Sequence, residues 1–411
     1  FKTKQFLLKK ADILLRLLRI DEAEKYFIEI LKNEIIKCTN NEGKSDDNSI
    51  IGEIYYNFTI LYRWKRDYKK CKEYYDIIIP NINKYFINKI KIKNVEFSYG
   101  QFLFYQKDFR KAYEYLDKSK IDTNLLQTKE YSSFLEENAS GETLVIYNNG
   151  GLGDIIMYGR FLTRVCNIYY KNNIILLIDD KLEWMFKSIK FPNNMTIIPD
   201  RKVDIQKLLS FSHCDAFMLA YYLEYNYSDI YFEKYLNEVK GSNFYNILIT
   251  KYSQLKSLNK KIAINWHGNR ENNMEEMQRG IELELLEPLF NIKNITWISV
   301  QKNINPKEKQ FLKDNNVIDL SDEIDTGDDA FIDTVSIFHN VDLVISTDTS
   351  ILHLSASLGI KTWALLTYTP EYRWGLDERT IWYPEMELFR QEKILDWSIP
   401  IKKIKSKIEL I

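Results

Sequence analysis

The stretch TLVIYNNGGLGD, Thr143 to Asp154, decides how the chain is read. Thr143–Tyr147 is a short, β-rich apolar run of the kind that forms a buried strand. Asn148 and Asn149 break it, and Gly150-Gly151-Leu152-Gly153 allow a tight turn. A helical pattern then continues through Tyr170. Ile174–Ile178 reads as the next strand, Leu182–Ile189 as an amphipathic helix and Thr196–Ile198 as a third strand. This βαβ alternation implies a parallel sheet with helices on its faces. The aromatic-rich segment Phe211–Asn246 shows no clean period.

A second alternating series starts at Lys261. Ile262–Asn265, Ile295–Val300, Val317–Leu320, Leu343–Ser346 and Lys361–Leu365 read as strands. Glu282–Phe290, Pro306–Asp314, Ala330–His339 and Ile351–Leu358 read as helices, the last ended by Gly359 at a position that suits C′. Ile399–Ile411 reads as an amphipathic, basic helix, expected to dock across the two α/β lobes. A cleft at the carboxyl ends of the strands is the natural ligand site in such a pair.

Upstream of Ser140 the texture is helical, and three segments share a pattern. They are Ile20-x-x-Ala23-x-x-x-Phe27, Tyr68-x-x-Cys71-x-x-x-Tyr75 and Phe109-x-x-Ala112-x-x-x-Leu116. Bulky, small and bulky positions at this spacing fall on one helix face, where the small residue lets a neighbouring helix approach. Each is preceded by another apolar helix: Leu7–Leu18, Ile51–Trp64 and Val95–Tyr105. Such pairs resemble tetratricopeptide repeats, although their spacing drifts and exceeds the roughly 34 residues of that repeat. The polar run Asn40–Asn48 reads as a loop. The domain reading is therefore a helical repeat domain over 1–139, a Rossmann-like lobe over 140–250 and a second Rossmann-like lobe over 251–411 that ends in a crossing helix.

Composition limits the function. Lys plus Arg number 57 against 58 Asp plus Glu, so no global basic field favours a nucleic acid. Cys38, Cys71, Cys166 and Cys214 include no C-x-x-C pair, and the histidines are dispersed, so no metal site is expected from spacing. The cysteines read as reduced thiols of a cytoplasmic protein. No run approaches the ~20 apolar residues of a membrane span. The sequence starts at Phe1-Lys2-Thr3-Lys4 rather than at Met, which leaves an upstream segment open.

Three places carry candidate chemistry. Gly150-Gly151-Leu152-Gly153-Asp154 lacks the Lys-Ser/Thr of a phosphate loop and does not match G-x-G-x-x-G. Asp154 is there either a helix N-cap, which local spacing favours, or a carboxylate that takes a proton from an acceptor hydroxyl. Ser346-Thr347-Asp348-Thr349-Ser350-Ile351-Leu352-His353 joins a strand to a helix, and hydroxyls and amides at a helix start suit a diphosphate. His353, one turn in, adds a cation or is a satisfied core residue. Ser299-Val300-Gln301-Lys302 ends another strand of the same sheet, where Lys302 suits a pyrophosphate or is an ordinary exposed lysine.

Taken in order, these residues resemble the catalytic part of bacterial tetratricopeptide-repeat glycosyltransferases of the two-lobed GT-B type. These are relatives of the heptosyltransferases and, more distantly, of the O-GlcNAc transferases. The ordered set is Gly151–Asp154 with Arg160-Phe161, Asn265-Trp266-His267-Gly268-Asn269, Ser299–Lys302 and Asp333-Thr334. It continues through Asp342–Ser346, Asp348–Leu354, Tyr372-Arg373-Trp374, Trp382-Tyr383-Pro384 and Leu388–Gln391. The similarity runs from Glu142 to about Ile404. It departs from the pattern at Arg270–Arg279, with Arg279-Gly280 in place of Arg-Ser, and at Lys361-Thr362 in place of Pro-Thr.

The resemblance implies transfer from a nucleotide-sugar donor to a protein, glycan or lipid-linked acceptor, inverting and without a divalent metal or cofactor. No spaced acidic pair stands at a strand end, and Asp328-Asp329 reads as helix capping. Asp348, Thr349, Ser350 and His353 would hold the diphosphate or ribose end, beside Ser346 and Gln301. Lys302 would neutralise the leaving phosphate, and Asn265, Trp266 and Gly268 would shape the cleft wall. Gly151 and Gly153 would open the turn that carries Asp154 as base. Tyr372-Arg373-Trp374 and Trp382 suit either stacking on a base or sugar or packing of the C-terminal segment across the lobes; packing is favoured for the tryptophans, with Arg373 left open. The repeats would read a protein or other extended acceptor, and a homo-oligomer remains compatible with all of this. The competing class is an inactive repeat scaffold or nucleotide-sugar-binding protein.

Overall fold

Each of the three matched segments begins a helix two residues after a left-handed turn residue: Leu18, Arg66 and Lys107, with φ of 58°, 54° and 62°. The next amide closes each turn five residues back, from Arg19 to Leu14 (2.9 Å), Asp67 to Tyr62 (2.9 Å) and Asp108 to Leu103 (3.1 Å). The same hairpin is thus built three times, from α1 (Lys2–Arg16) and α2 (Ile20–Thr39), from α3 (Ser45–Trp64) and α4 (Tyr68–Ile78), and, after the short α5 (Ile82–Tyr85), from α6 (Lys89–Tyr105) and α7 (Phe109–Lys118). The small residues Ala23, Cys71 and Ala112 are all buried, as are Phe27, Tyr75 and Leu116. Where α6 meets α7, a Cβ on Gly100 would lie 3.0 Å from the Ala112 carbonyl and 2.8 Å from Leu116. Asp67 and Asp108 cap α4 and α7 by accepting from Lys70 and Lys111, the usual satisfaction of a first-turn amide.

The computed structural model describes residues 2–39, 45–119, 142–204, 211–230, 232–270 and 279–410. The polar run expected as a loop is only partly one of these: residues 45–48 belong to α3, and 40–44 lie outside the described residues. The chain divides into two compact units, residues 1–122 with 371–373 and residues 123–370 with 374–411. Both sheets belong to the second.

The first sheet has β1 (Thr143–Tyr147), β2 (Asn173–Ile178), β3 (Met195–Pro199) and β4 (Ser212–Asp215) in the order β3-β2-β1-β4, all parallel. Helices α8 (Leu152–Tyr158), α9 (Leu162–Ile168) and α10 (Glu183–Lys187) connect its strands. The second sheet has β5 (Lys260–Asn265), β6 (Ile295–Ser299), β7 (Ile318–Asp319), β8 (Leu343–Thr347), β9 (Thr362–Leu366) and β10 (Glu387–Arg390). Its order is β10-β9-β8-β5-β6-β7, again parallel. Between its strands lie α11 (Glu287–Phe290), α12 (Pro306–Asp314), α13 (Ile332–Phe338) and α14 (Ser350–Ser357), and α15 (Ser398–Ile408) closes the chain. Trp266, Trp297, Trp363 and Trp397 anchor the second core among aliphatic residues from β5, β8, β9 and α15, with Phe389 from β10.

Two expectations change in detail. Glu282–Phe290 is a tight 3-10 turn over Leu283–Leu286 followed by α11, where Pro288 stands at the helix start with no N–H to continue the first segment. The C-terminal helix expected to cross between the lobes packs instead on the second lobe, against β10, α11 and the 3-10 turn. Its apolar stripe Ile401, Ile404 and Ile408 joins that core, and Lys403 pairs with Glu392.

The strand orders fix where a ligand belongs. In the first sheet the connections run outward from β1 to β3 and then return to β4 on the other side of β1. In the second they run outward from β5 to β7 and return to β8. The crevice outside the carboxyl ends at such a reversal is the binding position of open parallel sheets. The reversals lie at β1/β4, ending at Tyr147 and Asp215 in register, and at β5/β8, ending at Asn265 and Ser346 in register.

Candidate functional site

The two reversals face each other. The turn after β1 carries Gly153 on α8, and the turn after β8 carries Ser350 on α14. A Cβ added to Gly153 would lie 3.1 Å from Ser350 Cα and 3.2 Å from His353 Cδ2. Backbones approach this closely only where a side chain is missing. The linker between the lobes holds the seam from behind. Tyr235 donates its hydroxyl to the Ile156 carbonyl of α8 (2.7 Å), and the Leu236 amide donates to Ser357 of α14 (3.2 Å).

On the first lobe, Asp154 is half-buried at the start of α8 and accepts from the Gly151 amide at 2.7 Å. Asp154 is thus the N3 residue that bonds back to the N-cap, Gly151, rather than the N-cap that the local spacing suggests. The carboxylate fills the space over the turn, since a Cβ on Gly150 would come within 2.5 Å of its Oδ2. Asn148 braces the same turn by donating to the Gly150 and Gly151 carbonyls (2.9 and 3.3 Å).

On the second lobe, a buried polar network joins three strand ends. Gln301 Oε1 accepts from Asn265 Nδ2 (2.8 Å) and from the amides of Trp266 and His267 (both 3.0 Å). Asn265 Oδ1 in turn accepts from Ser346 Oγ (3.0 Å) and Thr349 Oγ1 (3.1 Å). Thr349 also caps α14 through the Ile351 amide (3.3 Å). These bonds fix the start of α14, whose first turn and dipole favour an anion.

Other residues named from the sequence sit less simply. Lys302 is exposed and donates to the Asp325 carbonyl at 2.6 Å. Asp325 is itself fixed by Thr334 and the Asp333 amide, and burial pushes its carboxyl up despite those bonds. Trp266 does not line the cleft: its side chain is fully buried in the core, with the indole N–H donating to Glu308 (3.3 Å). Gly268 accepts from His267 Nδ1 at 2.6 Å. His267 Nε2 is buried without a partner among the described residues, and burial pulls its pKa down. Glu308 is buried, which would raise its carboxyl, but bonds from Arg270, the Asn305 amide and Trp266 bring it below its ordinary value. Of the loop at Arg270–Arg279, residues 271–278 lie outside the described residues.

The sequence reading missed two features. Arg279 reaches back to Asp348, Nη1 to Oδ2 at 3.5 Å, so the departing loop returns to the α14 turn. Its Arg-Gly pair is a signal only to a reader who already expects a contact there. Tyr383 carries no role of its own in the sequence, where it is one member of the ordered set. Its hydroxyl lies 2.9 Å from His353 Nδ1, thirty residues away in sequence. Trp374 and Trp382 are packing residues as expected, and Trp374 stacks on His353 (5.5 Å, 16°). A separate cavity of about 140 Å³ lies at the far end of α14, lined by Phe232, Ala356, Gly359, Tyr383 and Met386, away from the glycine turn.

Three free cysteines, Cys71, Cys166 and Cys214, are buried. Among the described residues no group of His, Cys, Asp and Glu is arranged to hold a metal ion, and no helix is long and apolar enough to cross a membrane.

No family model matches the chain, and no curated protein matches it. Solved structures similar to it include a glycosyl transferase family 9 protein from Veillonella parvula, with 12% identity, 67% of this chain, 91% of that chain and a TM-score of 0.44. E. coli ADP-heptose lps heptosyltransferase II has 11% identity, with 65% and 98% covered and a TM-score of 0.43. E. coli heptosyltransferase WaaC with ADP-2-deoxy-2-fluoro heptose has 12% identity, with 65% and 99% covered and a TM-score of 0.39.

Proposed function

We propose that the chain is a glycosyltransferase of GT-B architecture that moves a sugar from a nucleotide-sugar to an acceptor hydroxyl. The observation that carries this reading is the apposition of the two chain reversals, Gly153 against Ser350 and His353. Asp154 belongs to one of the two elements that meet there, and the Thr349 cap and His353 belong to the other, which supports the reading.

In this reaction the acceptor oxygen forms a bond to the anomeric carbon as the bond to the diphosphate oxygen breaks. The electron pair leaves with the nucleoside diphosphate, and the acceptor proton passes to Asp154. The α14 turn, with Thr349, Ser350 and His353, would hold the diphosphate, and Lys302 would swing from the Asp325 carbonyl to offset its charge. Attack from the face opposite the leaving group inverts the anomeric centre. With these cations and amides in place, a divalent ion is not required. The three helix hairpins suit a tetratricopeptide-like role in gripping a protein or other extended acceptor in the cytoplasm.

One observation favours a second reading, a nucleotide-sugar-binding scaffold: Asp154 already accepts from Gly151. A thermal-shift screen against UDP-, GDP-, ADP- and CMP-sugars, with Asp348→Ala and Lys302→Ala beside it, tests binding. A shift with one nucleotide that both variants lose supports the donor site, and no shift with any of them refutes it. Hydrolysis and transfer by Asp154→Asn then separate the two readings. A base variant that binds but no longer transfers is the transferase outcome. A wild type that binds and never turns over is the scaffold outcome.

A further inference from the structure

We propose that Tyr383 is a positioning residue that sets the tautomer of His353. It donates its hydroxyl to Nδ1 and leaves the ring hydrogen on Nε2, facing the seam between α8 and α14. What that hydrogen would meet rests on the transferase reading; the tautomer itself does not.

Three of its contacts bear on how the imidazole is held. Tyr383 Oη lies 2.9 Å from Nδ1, the Trp374 ring stacks on one face at 16°, and the Cδ2 edge abuts Gly153. Because Nε2 is bonded to Cδ2, it lies on the side of the glycine turn. The ring is buried, so neither rotation nor a ring flip is open to it without breaking one of these contacts.

A phenol beside a neutral imidazole nitrogen can donate or accept, and the two choices put the ring hydrogen on different nitrogens. Arg160 decides between them. Its guanidinium carbon lies 4.5 Å from the Tyr383 ring centroid, and the side chain is 1% exposed. Phe232 and Trp382 surround it at 5.4 and 5.9 Å. It is pinned by donating from Nε to the Met157 carbonyl (2.7 Å) and from Nη1 to the Trp382 carbonyl. A buried cation over a phenol face draws electron density from its oxygen, which weakens the oxygen as an acceptor and strengthens the O–H as a donor. The favoured arrangement is therefore O–H to Nδ1. A neutral His353 then offers an N–H to an anion rather than a lone pair that would repel it.

The chain has four histidines, so isotope-labelled histidine in the full-length protein gives four ring patterns in long-range proton–nitrogen spectra, assigned by single substitution. The expected result is His353 as the Nε2–H tautomer. In Tyr383→Phe, which keeps the ring and its packing, that signature is lost in favour of a mixture containing Nδ1–H, and the other three patterns stay put. Arg160→Met is the second variant and should move the His353 pattern in the same direction. An Nδ1–H tautomer in the wild type, or a His353 pattern unmoved by Tyr383→Phe, overturns the proposal. If the tautomer is as stated and no nucleotide-sugar binds, the transferase reading fails and the positioning role stands.

Discussion

Gly153→Ala tests the seam most directly. The added Cβ would lie 3.1 Å from Ser350 Cα, 3.2 Å from His353 Cδ2 and 3.4 Å from Ser350 Cβ. One of those is backbone and another belongs to a ring held on three sides, so neither side can yield freely. Overpacking of this kind costs about 1–3 kcal/mol. Against it stands the gain from replacing glycine by alanine in a helix, about 0.5–1 kcal/mol. The net expectation is a loss of about 1–2 kcal/mol, or a fall in Tm of roughly 2–8 °C for a unit of this size. Gly151→Ala is the matched control. Its Cβ meets only Asp154 Oδ2, at 3.6 Å, an ordinary contact, so its effect should stay within about 0.5 kcal/mol. Seven of the eight tryptophans lie in the second unit, so intrinsic fluorescence in a urea titration reports on the right part of the chain. A Gly153→Ala protein as stable as the wild type, or a Gly151→Ala protein equally damaged, would show that the seam is not close-packed.

Gly241→Ala should be worse than Gly359→Ala, although only Gly359 has a left-handed φ (+81°). At Gly241 the new Cβ would lie 2.4 Å from both the Ile332 oxygen and the Ser336 nitrogen, which are backbone atoms. A loss of about 3 kcal/mol or more is expected there, against about 1–2 kcal/mol at Gly359, read by the same titration. Glu308→Gln should remove part of the acid sensitivity of folding. The Glu308 pKa is lowered from 4.5 in the folded chain, so its contribution is complete above that value and is lost as pH falls below it. Stability measured from pH 6 to pH 3 should fall less steeply in the variant, and an unchanged slope would count against the assignment. His267→Gln should flatten the profile nearer neutrality. Burial lowers the His267 pKa from 6.5, so the unfolded chain takes up the proton first and the wild type loses stability as pH drops below 6.5. A variant that keeps the same decline between pH 6.5 and pH 5 would contradict that account.

Where local chemistry alone determines a structure, it could be read from the sequence. Pro306–Asp314 forms as expected, because Asn305 caps the first amides, Pro306 needs no partner and Glu308 returns to the Asn305 amide. The strand–turn–helix at Thr143–Tyr158 follows from an apolar run, a glycine turn and an acidic first turn. The two strands that were not read, β4 and β10, have the sequences SHCD and ELFR. Neither is an apolar run, and each owes its place to a neighbour, β1 or β9. In the site, the α14 turn could be read because cap and anion chemistry share residue types. Trp266 could not: its direction is set by Glu308, forty-two residues on. Arg160 showed only as one member of an ordered set, and nothing near it in sequence tells that it is buried among Phe232, Trp382 and Tyr383.

The close approach of α8 to α14 also has a mechanical meaning. The two lobes are tied at this seam and again where Ala330 donates its amide to the Lys181 carbonyl and accepts from the Trp184 indole (both 2.9 Å). Sliding one lobe past the other would have to break both ties at once. A body held at two separate places keeps far less freedom than one held at a single point, so the seam and the Ala330 tie together hold the relative position of the two strand-end turns.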